Sequence, residues 1–361
     1  MTAWPDIAPP SRSRVVFAAA HVVADPAAVH GPGVPARLDW DATMRFRHRL
    51  WSLGLGVADA MDTAQRGMGL DWPAARELIR RSGTEARAVG GRLACGAATD
   101  QLPPGPAGLE VITAAYEEQA EAVEQAGAQV VLMCSRQLAA AAAGPDDYAE
   151  VYGRLLGQAE RPVILHWLGE AFDPALRGYW GGEDTGAATG HLLTIIREHA
   201  SQVDGVKVSL LDADREVAIR RALPSGVRLY TGDDFNFPEL IAGDAEGHSD
   251  ALLGVFDALA GPAATALRAL DAGHVTGFRA VLDPLVPLAR HIFAAPTRFY
   301  KTGLTFLAWL AGYQDHFVML GGQQDARDAD HLGALYRMAA DASLFPDPEL
   351  AAERMRRLLD G

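Results

Sequence analysis

Asp204-Gly-Val-Lys-Val-Ser-Leu-Leu-Asp212 is the stretch of sequence from which the fold follows most directly. Residues 206–211 form a short apolar run bounded by Gly205 and Asp212, which is typical of a parallel-sheet strand covered on both faces. Lys207 lies inside this run. Burial disfavours an ammonium ion, so we expect a lowered pKa for Lys207 and a neutral amine that can attack carbonyl carbon. The alternative is an ion-paired structural lysine at a strand end.

Strand-like and helix-like segments alternate on both sides of this stretch, which indicates an α/β fold. Predicted strands cover residues 14–20, 53–60, 93–98, 129–134, 162–166, 206–211, 227–231 and 247–253. Eight such units in roughly 250 residues predict a closed (β/α)8 TIM barrel. From residue 261 onward the pattern is helical only. We therefore predict a barrel domain over residues 14–260 and a C-terminal helical bundle over residues 261–361 that packs on the barrel.

Composition and charge narrow the class of partner. The formal net charge of −14 argues against nucleic acid, whose phosphates would be repelled. No apolar run approaches the roughly 18 residues of a membrane span, and the N-terminus lacks a signal-peptide pattern. Cys95 and Cys134 give neither a disulfide framework nor zinc spacing. A cytoplasmic protein without a nucleic-acid or membrane partner is the prediction.

Several motifs together resemble the dihydrodipicolinate synthase / N-acetylneuraminate lyase family. They are residues 205–209 with Asp212, residues 229–234 (Leu-Tyr-Thr-Gly-Asp-Asp), and residues 283–301, which look like that family's C-terminal helices. The resemblance covers most of the chain and is strongest from residue 160 onward. It implies an aldolase-type barrel and class I lyase or aldolase chemistry. Lys207 would form a Schiff base with a carbonyl substrate, and no cofactor or metal would be required.

One departure from that family concerns the end of the fifth strand. The family carries a proton-shuttling tyrosine there, whereas this chain has Val163-Ile-Leu-His166. Histidine can also accept and donate a proton near neutral pH, so we expect His166 to take over the proton relay. A hydrogen-bonded structural histidine at the barrel rim is the alternative.

A second departure concerns the loop after the second strand. The family holds the carboxylate of pyruvate there with two threonines, whereas this chain reads Asp62-Thr-Ala-Gln-Arg66. Thr63 is retained, but Asp62 would repel a carboxylate unless Arg66 compensates. Asp62 and Gln65 would suit the hydroxyl groups of a neutral carbonyl compound, such as a keto sugar or a cyclic polyol derivative. We expect Asp62, Thr63, Gln65 and Arg66 to bind the substrate.

Other polar residues near the predicted strand ends complete the set of candidates. Ser209, Asp233 and His248 are further candidates for substrate binding, although Asp233-Asp234 could equally cap the next helix. Arg136 is expected to pair with a neighbouring carboxylate, and Lys301 to pack in the tail or form a surface ion pair. The rival hypothesis is a divalent-metal isomerase, hydrolase or lyase. Its ligands would be His21, Asp59, His166 and His248.

The tail also bears on assembly. Phe306, Leu307, Trp309 and Leu310 form an apolar cluster that suggests a self-association face of a dimer or tetramer. The same residues would equally pack on the barrel. A barrel that has lost catalysis and serves as a binding or assembly protein is a third hypothesis, which the lysine in mid-strand disfavours.

Overall fold

The computed structural model describes residues 4–182 and 184–360. Its strands in that part of the chain are β1 (Val16–Ala19), β2 (Gly56–Asp59), β3 (Leu93–Ala97), β4 (Gln129–Leu132), β5 (Val163–Leu168), β6 (Val203–Ser209), β7 (Arg228–Thr231) and β8 (Asp250–Leu253). Each strand pairs in parallel with the next, and β1 also pairs with β8, so the sheet closes into a barrel. The predicted (β/α)8 barrel is confirmed.

Helices follow the strands as the sequence predicted. Those of the barrel are α1 (Trp40–Ser52), α2 (Trp72–Val89), α3 (Leu109–Gln125), α4 (Arg136–Ala141), α5 (Pro145–Gln158), α6 (Thr185–Glu198), α7 (Ala213–Ala222) and α8 (Phe237–Ala242). Asp71 caps α2 by accepting a hydrogen bond from the Ala74 amide, and proline stands in the first turn. This arrangement satisfies an amide that the helix itself leaves unpaired.

The C-terminal part is helical. It contains α9 (Ala260–Asp271), α10 (Val275–Leu282), α11 (Val286–Ile292), α12 (Tyr300–Leu310), α13 (Ala329–Asp341) and α14 (Pro348–Asp360). Every residue of α12 is buried within the chain, including Phe306, Leu307, Trp309 and Leu310. These four residues therefore pack internally, which is the alternative to a self-association face. The domain division at residues 260 and 261 stays a prediction.

Side-chain alternation places His166 and Lys207 inside the barrel. Ile164 and Tyr230 belong to the apolar cluster that fills the barrel. Residues two apart on a strand point to the same face, so His166 points inward like Ile164. Lys207 is the register partner of both His166 and Tyr230, and lateral neighbours in a sheet share a face. The lysine thus enters the barrel beside the histidine.

The observed strands differ from the predicted ranges by up to three residues at their ends, and at two of these boundaries the backbone shows why. β6 ends at Ser209 rather than at residue 211, because Leu211 has a left-handed backbone with φ of 58°. β8 begins at Asp250 rather than at residue 247, because the chain before it turns, with a hydrogen bond between Asp244 and Gly247. None of the described helices is long and apolar enough to cross a membrane.

Candidate active site

Lys207 is a buried amine that has no bonding partner in the described part of the chain. Its side chain is 8% exposed, and none of the described residues forms a hydrogen bond or an ion pair with Nζ. Burial lowers the pKa of Lys207, while the nearby carboxyl groups of Asp62 and Asp234 oppose that shift. Gly232 leaves the space for this side chain, since a Cβ there would lie 2.9 Å from Lys207 Cε. The amine is therefore held free and is biased toward its neutral form.

His166 is the lateral neighbour of Lys207 and is fully buried. Its Nε2 lies 3.2 Å from the Ser209 hydroxyl, and its Nδ1 has no hydrogen-bond partner in the described chain. Burial lowers the pKa of His166 well below its usual range, and the charge of Lys207 lowers it further. The ring is thus neutral at pH 7, with one N–H donor and one acceptor nitrogen. This differs from the expected imidazole that titrates near neutral pH.

A cavity of about 810 Å³ opens at the carboxyl ends of the strands. Asp62 and His166 line it on the barrel side, and Gly321 and Gln323 line it on the side of the C-terminal bundle. Lys207 is not in the wall that the described residues form. The volume lies in the range of sites that enclose small molecules, and active sites of such barrels occupy this end of the strands.

Asp62 begins the short 3-10 turn that follows β2 and is half-buried. None of the described residues donates a hydrogen bond to its carboxylate or forms an ion pair with it. Its charge raises the pKa of two buried lysines, Lys207 and Lys301, against the effect of burial. Asp62 is therefore a carboxylate that lines the cavity, has no partner among the described residues, and acts by its charge on two amines.

Thr63 is bound to the C-terminal bundle. Its hydroxyl lies 2.9 Å from the hydroxyl of Tyr300, the first residue of α12. Gly254 allows both side chains to pack here, since a Cβ at Gly254 would lie 3.1 Å from Tyr300 Cε2 and 3.4 Å from Thr63 Oγ1. Burial raises the pKa of Tyr300 well above its usual range. The phenol stays protonated and can donate to Thr63.

Gln65 and Arg66 are bound to the protein itself. Gln65 is buried and donates to the main-chain oxygens of Met68 and Leu320, which joins the loop to the bundle. Arg66 lines the cavity but forms a double contact with Asp100. Its other hydrogen-bond acceptors are the main-chain oxygens of Ala60 and Gly96 and the side chain of Gln119. All five donors of the guanidinium are thus used, so Arg66 does not neutralise Asp62.

Asp233 and Asp234 have different surroundings although they are adjacent. The Asp233 carboxylate accepts from the amides of Phe235 and Asn236 and from the Asn236 side chain, which holds the turn before α8. Asp234 accepts from the Val255 amide and is buried near Lys207. Burial raises the pKa of Asp234 to about 7. Asp234 is therefore the carboxyl group that belongs to the lysine site, and it was not among the residues predicted to bind the substrate.

His248 lies at the opposite end of the barrel, which corrects its expected place at a strand exit. It precedes β8, whose first residue is Asp250, so it stands at the amino end of the strand. Arg14, Arg220 and Arg228 surround it, and burial together with these charges lowers its pKa. A substrate in the cavity would not reach this histidine.

The residues of the metal hypothesis are not brought together. His21 contacts Asp257 at 2.8 Å through Nδ1 and Gln314 at 2.9 Å through Nε2. Asp59 is bound to Arg47 in a buried ion pair. Within residues 4–182 and 184–360, no group of three or more His, Cys, Asp or Glu side chains is arranged to hold a metal ion.

Arg136 lines the cavity, and Lys301 lies behind the cavity-lining residue Met68. Arg136 forms the expected pair with a carboxylate, Asp173, at 2.5 Å. Lys301 is buried, so the expected packing in the tail holds and a surface ion pair does not. One sequence signal would have drawn attention to it: of 32 basic residues, only Lys207 and Lys301 are lysines.

The fold is similar to that of solved dihydrodipicolinate synthases. A Pseudomonas aeruginosa protein provisionally assigned as a dihydrodipicolinate synthetase aligns with a TM-score of 0.70 at 17% identity, covering 91% of this chain and 99% of that one. The Thermotoga maritima enzyme aligns with a TM-score of 0.68 at 13% identity, covering 92% and 99%. The Oceanobacillus iheyensis enzyme gives a TM-score of 0.68 at 12% identity, covering 91% and 97%.

At these identities the likeness establishes the fold, and it confirms the resemblance read from the sequence at that level. No curated protein matches the sequence. The sequence model of the DUF993 family, described as a protein of unknown function, matches residues 1–361. The chain therefore belongs to the DUF993 family, a branch with the fold of the dihydrodipicolinate synthases.

Proposed function

We propose that this protein is a class I aldolase-type lyase in which Lys207 forms a Schiff base with a carbonyl substrate, a keto sugar or keto acid derivative. The observation that carries the proposal is the buried Lys207 amine, which points into the barrel, has no bonding partner among the described residues and has a lowered pKa. A structural lysine would have an acceptor or a carboxylate in contact with Nζ. The similar fold of dihydrodipicolinate synthases supports the same chemistry.

The reaction would proceed in balanced steps. The neutral amine adds to the carbonyl carbon, and the resulting carbinolamine loses water to give a protonated iminium. A base removes the proton of a hydroxyl group on the neighbouring carbon chain, and the carbon–carbon bond breaks as its electron pair moves into the iminium. This releases an aldehyde and leaves an enamine. Protonation of the enamine carbon and hydrolysis return the free amine and the second product, and no cofactor takes part.

His166 is the residue that we assign to the proton transfers. It is the lateral neighbour of Lys207, it lines the cavity, and its Nδ1 has no competing partner in the described chain. A neutral imidazole can accept a proton at one nitrogen and return it later. Ser209 orients the ring through Nε2 and is therefore a positioning residue rather than a substrate contact.

Asp62 and Thr63 are the loop residues that we keep in the proposed site. Asp62 lines the cavity, has no partner among residues 4–182 and 184–360, and can accept a hydrogen bond from a substrate hydroxyl. Thr63 lies beside it and is fixed by Tyr300. Gln65, Arg66 and Asp233 shape the site through the bonds described above, and His248 is not part of it.

Reductive trapping tests the proposal. The protein is incubated with pools of ketoacids, keto sugars and aldehydes, borohydride is added, and the intact mass and the modified peptide are measured. We expect an adduct on Lys207, whose mass names the class of substrate. Absence of an adduct from every pool, together with a stoichiometric divalent metal in elemental analysis, would replace this proposal with the metal-dependent one.

Assembly and location stay predictions. We expect a homo-oligomer, dimer or tetramer, in the cytoplasm, but the apolar residues of α12 are buried within the chain and cannot form its interface. Light scattering of the purified protein gives the oligomer number directly.

A further inference from the structure

Lys301 is a second buried amine, and the proposed Schiff-base chemistry does not use it. It is the second residue of α12 and is 4% exposed. Its Nζ lies 3.1 Å from the main-chain oxygen of Arg298, 3.4 Å from the thioether sulfur of Met68 and 4.8 Å from the centre of the Tyr300 ring. None of the described carboxylates forms an ion pair with it. Burying an ammonium with one carbonyl acceptor and no carboxylate in contact is costly.

The residues around Lys301 connect it to the cavity. Met68, which covers Nζ, lines the cavity. The preceding residue, Gly67, packs under Arg136, because a Cβ at Gly67 would lie 2.8 Å from Arg136 Nη1. The Gly67–Met68 segment is therefore flanked by an ammonium on one side and a guanidinium on the other. Two cations thus flank one segment of the cavity wall in a chain whose net charge is −14.

Two nearby carboxylates, Asp62 and Asp173, equal the two cations in charge but do not occupy all of their hydrogen-bond donors. Asp173 is bound to the Nε of Arg136, whose two terminal nitrogens have no acceptor among the described residues. Asp62 is close enough to raise the pKa of both Lys207 and Lys301, so one carboxylate serves two amines. The repulsion that a lone Asp62 would exert on an anionic substrate is thus offset by Lys301, which the sequence did not place beside it.

Usage of basic residues also singles out this amine. Of the 32 basic residues, 30 are arginines and two are lysines, and both lysines are buried near Asp62. A compact ammonium with three rotatable donors can bind an oxyanion in a confined space, whereas the planar guanidinium needs more room. A lysine at position 301 can therefore bind an oxyanion in a buried space that is too small for the guanidinium of an arginine.

We propose that Lys301 binds an anionic substituent of the carbonyl substrate, a carboxylate or a phosphate, that enters from the cavity and displaces Met68. A thioether is a weak acceptor on a flexible side chain, so an oxyanion replaces a weak contact by a charge-assisted hydrogen bond. The inference rests on the proposed function, because Lys207 would hold the carbonyl of the same molecule. It narrows the substrate to a carbonyl compound with one anionic end.

The experiment compares neutral and anionic probes in the trapping reaction. Dihydroxyacetone is the neutral ketone, dihydroxyacetone phosphate carries a phosphate, and pyruvate carries a carboxylate. The half-saturating concentration of each probe for borohydride-dependent labelling of Lys207 is measured by intact mass, and peptide mapping assigns the lysine. The variants are Lys301→Met and, as the matched control, Arg298→Met, which removes a positive charge from an exposed position three residues away.

We expect at least one anionic probe to label the wild-type protein at a lower concentration than dihydroxyacetone does. Lys301→Met should raise the half-saturating concentration of that probe about tenfold, the loss expected for one charge-assisted hydrogen bond. The same variant should leave the value for dihydroxyacetone within about twofold, and Arg298→Met should leave both nearly unchanged. The better of the two anionic probes identifies carboxylate or phosphate.

Three results would overturn or separate the two proposals. An unchanged ratio between anionic and neutral probes in Lys301→Met would overturn the anion site and leave the Schiff-base proposal intact. Labelling of Lys301 itself would overturn its non-covalent role. If no probe labels the wild-type protein, the melting temperature in inorganic phosphate decides. A rise in wild type and Lys207→Ala that is absent in Lys301→Met would support the anion site alone, and no rise in any of them would overturn it.

Discussion

Lys207 and Lys301 are both buried close to Asp62, yet their surroundings suit the two amines to different roles. Lys207 lies on a strand, and no acceptor among the described residues contacts its amine. Lys301 lies in the first turn of a helix and keeps a carbonyl oxygen, a sulfur and an aromatic face around its ammonium. Burial lowers the pKa of Lys301 to about 8, so it is still charged at pH 7. The amine without an acceptor is suited to react with a carbonyl carbon, whereas the charged amine without a carboxylate partner is suited to bind an anion.

The largest effect should follow from removing the strand lysine. Lys207→Met should give no borohydride-trapped adduct with any carbonyl compound that labels the wild-type protein. Turnover of that compound should fall by at least about 10⁴-fold, because loss of a covalent nucleophile removes the whole pathway. Intact mass and product formation measure the two outcomes. Lys301→Met is the paired variant and should still be labelled at Lys207. Labelling of Lys301 in Lys207→Met would reverse the roles of the two amines.

The next effect concerns the proton relay beside Lys207. His166→Gln keeps a polar group near Ser209 but cannot carry a proton, so turnover should fall by roughly 10²- to 10⁴-fold. The adduct on Lys207 should still form, because the amine itself is untouched. The control Ser209→Ala leaves the imidazole in place and should cost only about tenfold through lost orientation. Equal losses in the two variants would mean that His166 is structural.

The third prediction concerns the effect of the Lys301 ammonium on the free energy of unfolding. Its lowered pKa means that the unfolded chain binds the proton more tightly than the folded protein does. Between about pH 8 and pH 10.5 stability therefore rises with pH, and the ammonium destabilises the folded state by about 3 kcal/mol at neutral pH. Lys301→Met should be more stable than wild type at pH 7 by up to that amount, and the difference should disappear toward pH 10.5.

Urea unfolding at a series of pH values measures this difference. Arg298→Met is the control and should show only a small pH-dependent difference from wild type, because its guanidinium is exposed and its charge lowers the pKa of Lys301 less than that of Arg136 does. If Lys301→Met were less stable than wild type at pH 7, the ammonium would be making a stabilising contact. The ammonium of Lys301 would then already have a favourable partner, and the argument that it needs an anion would fail.

The sequence predicted the strand half of this site because strands have a short, strict period. A lysine within an apolar run and a histidine at the end of the preceding strand both face the barrel once the register is parallel. The same argument could not separate Asp233 from Asp234. Their roles depend on whether the turn after β7 points the first or the second carboxylate inward, and that follows from hydrogen bonds to Asn236 and Val255.

The helical half of the site was not predictable from a local pattern. Tyr300 and Lys301 lie about 240 residues from the loop that they contact, and every residue of their helix is buried, so no polar face marks them. Arg66 was misjudged for a related reason: Asp100, which occupies its guanidinium, follows a different strand. Contacts between separate elements decide whether a polar side chain is free or already bound, and the scarcity of lysine was the one local clue.

The smallest predicted effect tests the link between the surroundings of the two lysines. Thr63 adjoins Asp62 and Tyr300 adjoins Lys301, and their hydroxyls are 2.9 Å apart in a buried position. Thr63→Val and Tyr300→Phe should each lower the free energy of unfolding by about 1 kcal/mol, because each leaves the other hydroxyl without this partner. The double variant should cost less than the sum, with a coupling energy of about 1 kcal/mol by urea unfolding. Strictly additive losses would mean that the bond does not hold the loop against the bundle. The position of Asp62 would then not depend on the helix that carries Lys301. The Thr63–Tyr300 hydrogen bond would no longer explain why one carboxylate lies near both lysines.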